Sequence, residues 1–201
     1  MDTASITAGP LRASMRENQA FRPAIQSIQP VPFDCSEEWN MTEETKPTRN
    51  IVAETDVPFP IEQVWRAITD SEYIALWFMK NDLKPEFGHK FTFRSRPIER
   101  WDGEFQCQVL DVEENQKISY TWKGGHQELK GFGHFIDTMA IWTLTPNADG
   151  STHVRFEHEG FDMSEEMDGC FEAMSKGSQS ILRTLNKMMP DFVEEWATTN
   201  S

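Results

Sequence analysis

The chain has 201 residues, of which 19 are lysine or arginine and 33 are aspartate or glutamate, so its formal net charge at pH 7 is −14. This acidic balance excludes a nucleic-acid binder and an electrostatic hold on anionic lipid, because both need clustered basic side chains. The sequence contains neither the roughly 20-residue apolar run of a membrane span nor an N-terminal apolar signal. Its cysteines, Cys35, Cys107 and Cys170, are widely spaced and odd in number, which argues against a disulfide framework. We expect a soluble, cytoplasmic protein with no nucleic-acid or membrane partner.

Residues 1–48 differ in composition from the rest of the chain. They hold five of the eleven prolines and show no sustained hydrophobic periodicity, so they bury too little apolar surface to offset the entropy of ordering them. The composition predicts a proline-rich N-terminal arm over residues 1–48, disordered or docked, and one domain over residues 49–201. Apolar side chains in the arm, such as Phe21 and Trp39, are compatible with docking onto the domain or onto a second copy of the chain. A homodimer is therefore left open.

The start of the domain predicts one strand and two short helices. Residues 51–57 form a β-type run that ends at a proline-rich turn. Apolar residues at helical spacing predict a helix over residues 61–68. A second short helix over residues 73–78 can be capped by Asp70 or Ser71.

The middle of the chain predicts five strands in a meander. Apolar and polar residues alternate with a period of two, which indicates strands with one buried and one solvated face, as in an antiparallel sheet. Turn-forming residues at 113–116 and 146–150 suit hairpins. The inward positions that this alternation predicts are Phe91, Phe93, Phe105, Cys107, Val109, Ile118, Tyr120, Trp122, Ala140, Trp142, Leu144, Val154, Phe156 and His158.

The last element is predicted to be a long amphipathic helix. Apolar residues recur at steps of three and four between Met167 and Met189. Ser164 and the glutamates after it suit the helix start, and Pro190 predicts its end. The order of elements indicates an α+β fold in which a curved antiparallel sheet of about six strands packs against this helix.

Residues 57–70 (VPFPIEQVWRAITD) resemble the opening of the START-like (SRPBCC) superfamily, and more narrowly the branch named after the activator of the heat-shock-protein-90 ATPase. The resemblance extends over about residues 49–189. It rests on the order and spacing of several further motifs, namely Trp77, 109–112 (VLDV), 118–122 (ISYTW), 142–146 (WTLTP), 149–152 (DGST) and 156–161 (FEHEGF).

The resemblance implies a helix-grip fold, in which the sheet curls around the C-terminal helix and leaves a cavity between them. Members of the superfamily bind apolar or amphipathic small molecules, some catalyse cyclisation or hydrolysis, and members of the named branch bind a chaperone. The chaperone function is weakened here because the proline-rich arm is too short to be the separate N-terminal domain that does most of that work in the family. The family therefore implies a cavity more firmly than a reaction.

Two departures from the family pattern bear on the cavity. Where the family often carries Gly-Trp in the final helix, this chain has Gly177 and Ser178. The serine would enlarge the cavity or add a hydroxyl to its wall. The linker over residues 124–137 is longer than expected and rich in glycine, so it is either a lid over the cavity mouth or a flexible hairpin loop.

Titratable side chains give one catalytic candidate. The five histidines lack HxH and HExxH spacing and the cysteines lack CxxC spacing, so no metal site and no cofactor is predicted. His158 shares the inward parity of Val154 and Phe156, and a neutral imidazole there is either a base, a ligand contact or a structural histidine. Cys107 is expected to be a buried, inert thiol.

The candidate ligand-binding residues are the inward rings of the strands, with neighbours from the helices: Trp77, Phe93, Phe105, Cys107, Trp122, Trp142, Phe156, His158, Phe171, Met174 and Ser178. They predict a cavity for a small hydrophobic or aromatic molecule held by a carrier, sensor or sequestering protein. The alternatives are an enzyme of the same fold, a cyclase or hydrolase that uses His158, and a chaperone co-factor.

Overall fold

The computed structural model describes residues 46–199, which form six strands and three helices. In chain order they are β1 (Thr48–Val57), α1 (Ile61–Thr69), α2 (Ser71–Trp77), β2 (Lys90–Arg94), β3 (Glu104–Glu113), β4 (Lys117–Gly124), β5 (Ile136–Pro146), β6 (Thr152–Asp162) and α3 (Glu165–Thr199). The predicted arm lies outside the described residues except for its last three, of which Thr48 begins β1. None of these helices is long and apolar enough to cross a membrane.

The strands form one antiparallel sheet in the order β1-β6-β5-β4-β3-β2. Consecutive strands from β2 to β6 are neighbours, as the meander predicted, and β1 pairs with β6 at the far edge. The side chains at every predicted inward position are buried. This face packs against α3 and the two short helices, so the fold is the predicted α+β helix-grip.

A bulge in β6 changes which side chains point inward. Ile51 pairs with His158 but Arg49 pairs with Phe161, so the register shifts by one residue between them. Gly160 occupies this interval with φ of 94°, a left-handed conformation that glycine adopts without strain. As a result Phe161 is buried three positions after His158, and the two ring centroids lie 4.7 Å apart. The strict alternation of the sequence does not predict this contact.

One side-chain hydrogen bond caps the second short helix and another joins it to the first. The carboxylate of Asp70, the predicted cap, accepts a hydrogen bond from the backbone N–H of Glu72 at 3.0 Å. Near the end of α2, Trp77 Nε1 donates to the carbonyl of Ala67 at 3.0 Å. This indole therefore fixes α2 against α1.

The prediction that the last helix ends at Pro190 is wrong, because α3 continues to Thr199 with Pro190 inside it. A proline in a helix interior removes one backbone hydrogen bond and costs about 3 kcal/mol. Packing beyond the proline offsets this cost: Phe192 and Trp196 are buried, and both rings lie 5.0 Å from the ring of Tyr73. Tertiary packing therefore overrides the local stop signal.

Replacing Phe192 with alanine should lower the free energy of unfolding by about 3–5 kcal/mol, because it removes a side chain that is only 1% exposed and leaves a cavity against Tyr73. Urea denaturation measures the loss. The matched control is Asp191→Ala, an exposed position next to it, which should change stability by no more than about 0.5 kcal/mol. Equal, small effects of both substitutions would show that the helix beyond Pro190 does not pack as described.

Candidate ligand cavity

A cavity of about 230 Å³ lies between the inner face of the sheet and the middle of α3. Its wall is made by residues from the end of α2, from four strands or their ends, from the β4–β5 connection and from α3. They are Phe78, Met79, Ser95, Phe105, Trp122, Phe132, Phe156, His158, Ala173, Met174, Gly177, Ser178 and Ile181. Aromatic rings and aliphatic groups make up most of this wall, and no carboxylate, ammonium or guanidinium group belongs to it among the described residues.

The structure places six of the eleven candidate residues in the wall: Phe105, Trp122, Phe156, His158, Met174 and Ser178. The other five lie behind it or beside it, namely Trp77, Phe93, Cys107, Trp142 and Phe171. They support the wall: for example, the Phe93 ring stacks on Trp122 with centroids 5.0 Å apart, and Trp142 packs on Phe156 at 4.6 Å. The remaining three are held by other partners.

Of those three, Trp77 also packs behind the wall, because its ring stacks on Phe78 with centroids 5.8 Å apart. Trp77 is hydrogen-bonded to α1, as described above. Phe171 lies under the guanidinium of Arg49, with the Arg49 Cζ 4.2 Å from the ring centroid. Cys107 is buried in β3, and burial raises the pKa of its thiol to about 12, so it is protonated at neutral pH. The interpretation of Cys107 as an inert thiol fits this environment.

Sequence reasoning missed seven wall residues: Phe78, Met79, Ser95, Phe132, Ala173, Gly177 and Ile181. For α3 a signal existed, because Ala173, Gly177 and Ile181 recur at steps of four and share a face with Met174 and Ser178. No comparable signal marks Phe132, which lies in an irregular segment between β4 and β5. Its place in the wall depends on how that segment folds back.

The segment between β4 and β5 covers residues 125–135, shorter at both ends than the predicted linker 124–137. Phe132 extends from it into the cavity wall while 42% of the residue stays exposed, so it lies at the cavity mouth. Gly133 has φ of 93°, and a Cβ there would lie 2.6 Å from the side chain of Ile98. Glu128 forms an ion pair with Arg100. The segment therefore packs closely on the loop before β3, and its action as a lid stays a prediction.

Ser178 contributes space to the cavity rather than a free hydroxyl. Its Oγ donates to the backbone carbonyl of Met174 at 2.9 Å, within the same helix. The side chain is buried and belongs to the cavity wall. A small side chain at this position therefore leaves room where a large ring would fill it.

Two buried tryptophans differ in how their indole N–H groups are satisfied. Trp142 Nε1 donates to the hydroxyl of Tyr120 at 2.9 Å. Trp122 Nε1 is buried and has no hydrogen-bond partner. A buried donor without a partner costs about 1–3 kcal/mol relative to a satisfied one. Trp122 Nε1 is thus a buried polar atom in a residue of the cavity wall, and it has no protein partner among residues 46–199.

His158 is 1% exposed and forms one side-chain hydrogen bond. Its Nε2 lies 2.7 Å from the Oγ1 of Thr138, and that hydroxyl donates to the carbonyl of Trp122 at 3.0 Å. Because the single hydroxyl hydrogen is used on the carbonyl, the network assigns the His158 proton to Nε2. Burial lowers the pKa of His158 to about 3, so the imidazole is neutral at physiological pH.

Two acidic side chains in the first turns of α3 form ion pairs outside the cavity wall. Asp168 pairs with Arg49 at 2.6 Å. Glu172 pairs with Lys176, and the ammonium holds the pKa of Glu172 below its usual value. Among residues 46–199, no group of three or more His, Cys, Asp or Glu side chains is placed to hold a metal ion.

Comparisons with known proteins match this chain to one family model and to solved structures of the same fold. The family model described as "Activator of Hsp90 ATPase homolog 1-like protein" matches residues 58–189. Among solved structures, protein MLL2253 of Mesorhizobium loti is 33% identical with a TM-score of 0.62, and the match covers 71% of this chain and 98% of that one. Protein BH1534 of Bacillus halodurans is 30% identical with a TM-score of 0.57, over 72% of this chain and 99% of that one. No curated protein matches the sequence at a significant level.

The buried state of His158 predicts a specific dependence of stability on pH. Between its ordinary pKa of 6.5 and its folded value of about 3, the unfolded chain binds a proton that the folded protein does not. The free energy of unfolding should therefore fall by about 1.4 kcal/mol per pH unit as pH decreases through this range. Replacing His158 with glutamine removes this contribution.

Urea denaturation of both proteins at pH 7, 6 and 5 measures the difference. The two curves should converge on acidification, because the wild type loses stability more steeply than His158→Gln. The slope decides the outcome, so an overall destabilisation of the variant does not matter. Parallel curves would contradict the assignment of a neutral, buried imidazole.

Proposed function

The chain belongs to the family of Activator of Hsp90 ATPase homolog 1-like proteins, and from this membership and its cavity we propose that it binds a small hydrophobic or aromatic molecule between the sheet and α3. The fold family commonly binds hydrophobic ligands. The observation that carries the proposal is the ring-lined cavity itself. Convergent rings with a few polar groups are the usual composition of a small-molecule site.

The size of the cavity suits a compound of one or two rings. Its volume of about 230 Å³ exceeds that of an engineered cavity of about 150 Å³ that binds benzene. The volume is too small for a sterol or a long acyl chain unless the wall moves. Phe132, at the mouth, is the wall residue with the most exposed ring.

The charge of the wall favours a neutral ligand. Transfer of an ionised group into an apolar site is costly unless a counter-ion or several hydrogen bonds compensate it. Among residues 46–199 the wall offers no charged side chain, and His158 is neutral at physiological pH because burial lowers its pKa to about 3. Aromatic and aliphatic molecules without a net charge are therefore the preferred class.

Binding is favoured over acid–base catalysis by the same imidazole. An efficient general base has a pKa near the operating pH, whereas the pKa of His158 is about 3. A carrier, sensor or sequestering role needs only the cavity and its selectivity. The enzyme alternative would need a second catalytic group, and the wall supplies no carboxylate among the described residues.

Filling the cavity should abolish binding without unfolding the protein. Ser178→Trp places an indole in the wall at a position where the serine hydroxyl bonds only within its own helix. Naphthalene is a suitable neutral probe. We expect it to raise the thermal midpoint of the wild type, as any ligand of the folded state does, and to leave that of Ser178→Trp unchanged.

The matched control is Gln179→Trp, which puts the same indole at the neighbouring exposed position of α3. Titration calorimetry should give the same naphthalene affinity for this variant as for the wild type, and at least tenfold weaker binding for Ser178→Trp. Equal stabilisation of both variants by naphthalene would place binding elsewhere and overturn the proposal. Native mass spectrometry of protein purified from its own cells would then identify the natural ligand in the wild type and its loss in Ser178→Trp.

A further inference from the structure

Building on the proposed function, we propose that the natural ligand carries a hydroxyl group, and that this hydroxyl donates to His158 Nδ1 and accepts from Trp122 Nε1. We call these two atoms the polar pair. Both residues belong to the wall of a mostly apolar cavity, so the pair would select among molecules of the same size by their hydrogen-bonding groups.

The donor of the polar pair is held in place by packing. The Trp122 ring is stacked on Phe93, with centroids 5.0 Å apart, and lies edge-to-face with Phe105 at 5.4 Å. The residue is 2% exposed and its Nε1 lacks a partner. The comparable indole of Trp142 has a tyrosine hydroxyl as its acceptor. Since buried indole N–H groups are normally hydrogen-bonded, the missing protein acceptor at Trp122 leaves this N–H available to a ligand oxygen.

The acceptor of the polar pair, His158 Nδ1, is determined by two consecutive hydrogen bonds between neighbouring strands. Thr138 donates to the Trp122 carbonyl and accepts from His158 Nε2–H. A neutral imidazole with its proton on Nε2 has a lone pair on Nδ1. The side-chain hydrogen bond of His158 is made at Nε2, so Nδ1 is the ring nitrogen that a ligand would use. Thr138 is therefore a positioning residue, because it determines which ring nitrogen of His158 accepts.

A single ligand group can bond to both rings only if it is both a hydrogen-bond donor and a hydrogen-bond acceptor. Their centroids lie 5.2 Å apart, and both residues belong to the cavity wall. An alcohol or phenol satisfies both atoms, an ether or ketone satisfies only Trp122, and a hydrocarbon satisfies neither. A carboxylate is disfavoured because it cannot donate to His158 and because the described residues supply no cation to the wall.

Four probes of similar shape separate these cases: 1-naphthol, 1-methoxynaphthalene, naphthalene and 1-naphthoate. Titration calorimetry at pH 7 measures each affinity for the wild-type protein. One net hydrogen bond changes affinity by about threefold to tenfold. We expect 1-naphthol to bind at least tenfold more tightly than naphthalene, 1-methoxynaphthalene to lie between them, and 1-naphthoate to bind more weakly than naphthalene.

Two substitutions test the two halves of the polar pair separately. Thr138→Val keeps the shape of the side chain but frees the His158 ring to change its protonated nitrogen. In this variant the ratio of 1-naphthol to 1-methoxynaphthalene affinity should fall towards one, and the ratio of 1-methoxynaphthalene to naphthalene affinity should not change. In Trp122→Phe the second ratio should fall towards one and the first should not change. Both affinities in a ratio are measured with the same protein, so an effect of cavity size that is common to the two probes cancels from the ratio.

If a variant does not fold, a spectroscopic measurement on the wild-type protein still tests the inference. Long-range ¹H–¹⁵N correlation spectra of the wild type should show His158 protonated at Nε2, and addition of 1-naphthol should shift its Nδ1 resonance. A proton on Nδ1 in the free protein would overturn the inference.

The outcomes distinguish the inference from the function on which it rests. If naphthalene and 1-naphthol bind with equal affinity, the cavity binds ligands but the polar pair does not select them, and the inference fails alone. If none of the four probes binds to the wild type, both the proposed function and the inference fail. Ratios that respond to the two substitutions as stated support both.

Discussion

The cavity exists because α3 presents small residues where the sheet presents large rings. Ala173, Gly177 and Ser178 face the same space as Phe105, Trp122 and Phe156. In most domains such a gap would be filled, because interiors are close-packed and an empty volume loses dispersion contacts on every side. Here the ends of the two layers hold it open. Beyond Pro190, α3 is anchored through Phe192 and Trp196, and near its start Asp168 is tied to Arg49 of β1. The middle of the helix therefore spans the space without collapsing onto the sheet.

Some polar groups around this space have hydrogen-bond partners in the protein and others do not. This difference determines which groups can form hydrogen bonds with a ligand. Trp142 is paired with Tyr120, Ser178 with the backbone of α3, and Thr138 with a neighbouring strand. These bonds remove their groups from competition for a ligand. Among residues 46–199 the buried indole N–H of Trp122 is left without a partner. In a mostly apolar wall a matched hydrogen bond is strong and a missing one is costly. A neutral histidine fits this setting better than a charged one, because charge in the wall would be uncompensated.

Much of the fold could be predicted from local patterns, and the failures have identifiable physical causes. The strands and the two short helices follow from periodicity and capping, which depend on nearest neighbours along the chain. Pro190 was predicted to end α3, yet the burial of Phe192 and Trp196 outweighs the lost backbone hydrogen bond. Phe161 does not follow the alternation of β6, because the bulge at Gly160 shifts the register of the pairing with β1 by one residue. In both places a contact between distant parts of the chain decides against the local signal.

The sequence by itself determined the order of elements, the inward positions of the strands up to the bulge in β6, the family resemblance and the acidic charge balance of the chain. These properties are written in spacing and composition. Only the tertiary structure decided which inward rings line the cavity and which lie behind them, since all of them share the same parity. It also separated Trp122 from Trp142, which look alike in the sequence and differ only in whether a tyrosine hydroxyl on a neighbouring strand reaches the indole. Hydrogen-bond satisfaction is a property of three-dimensional neighbours, and no pattern along the chain encodes it.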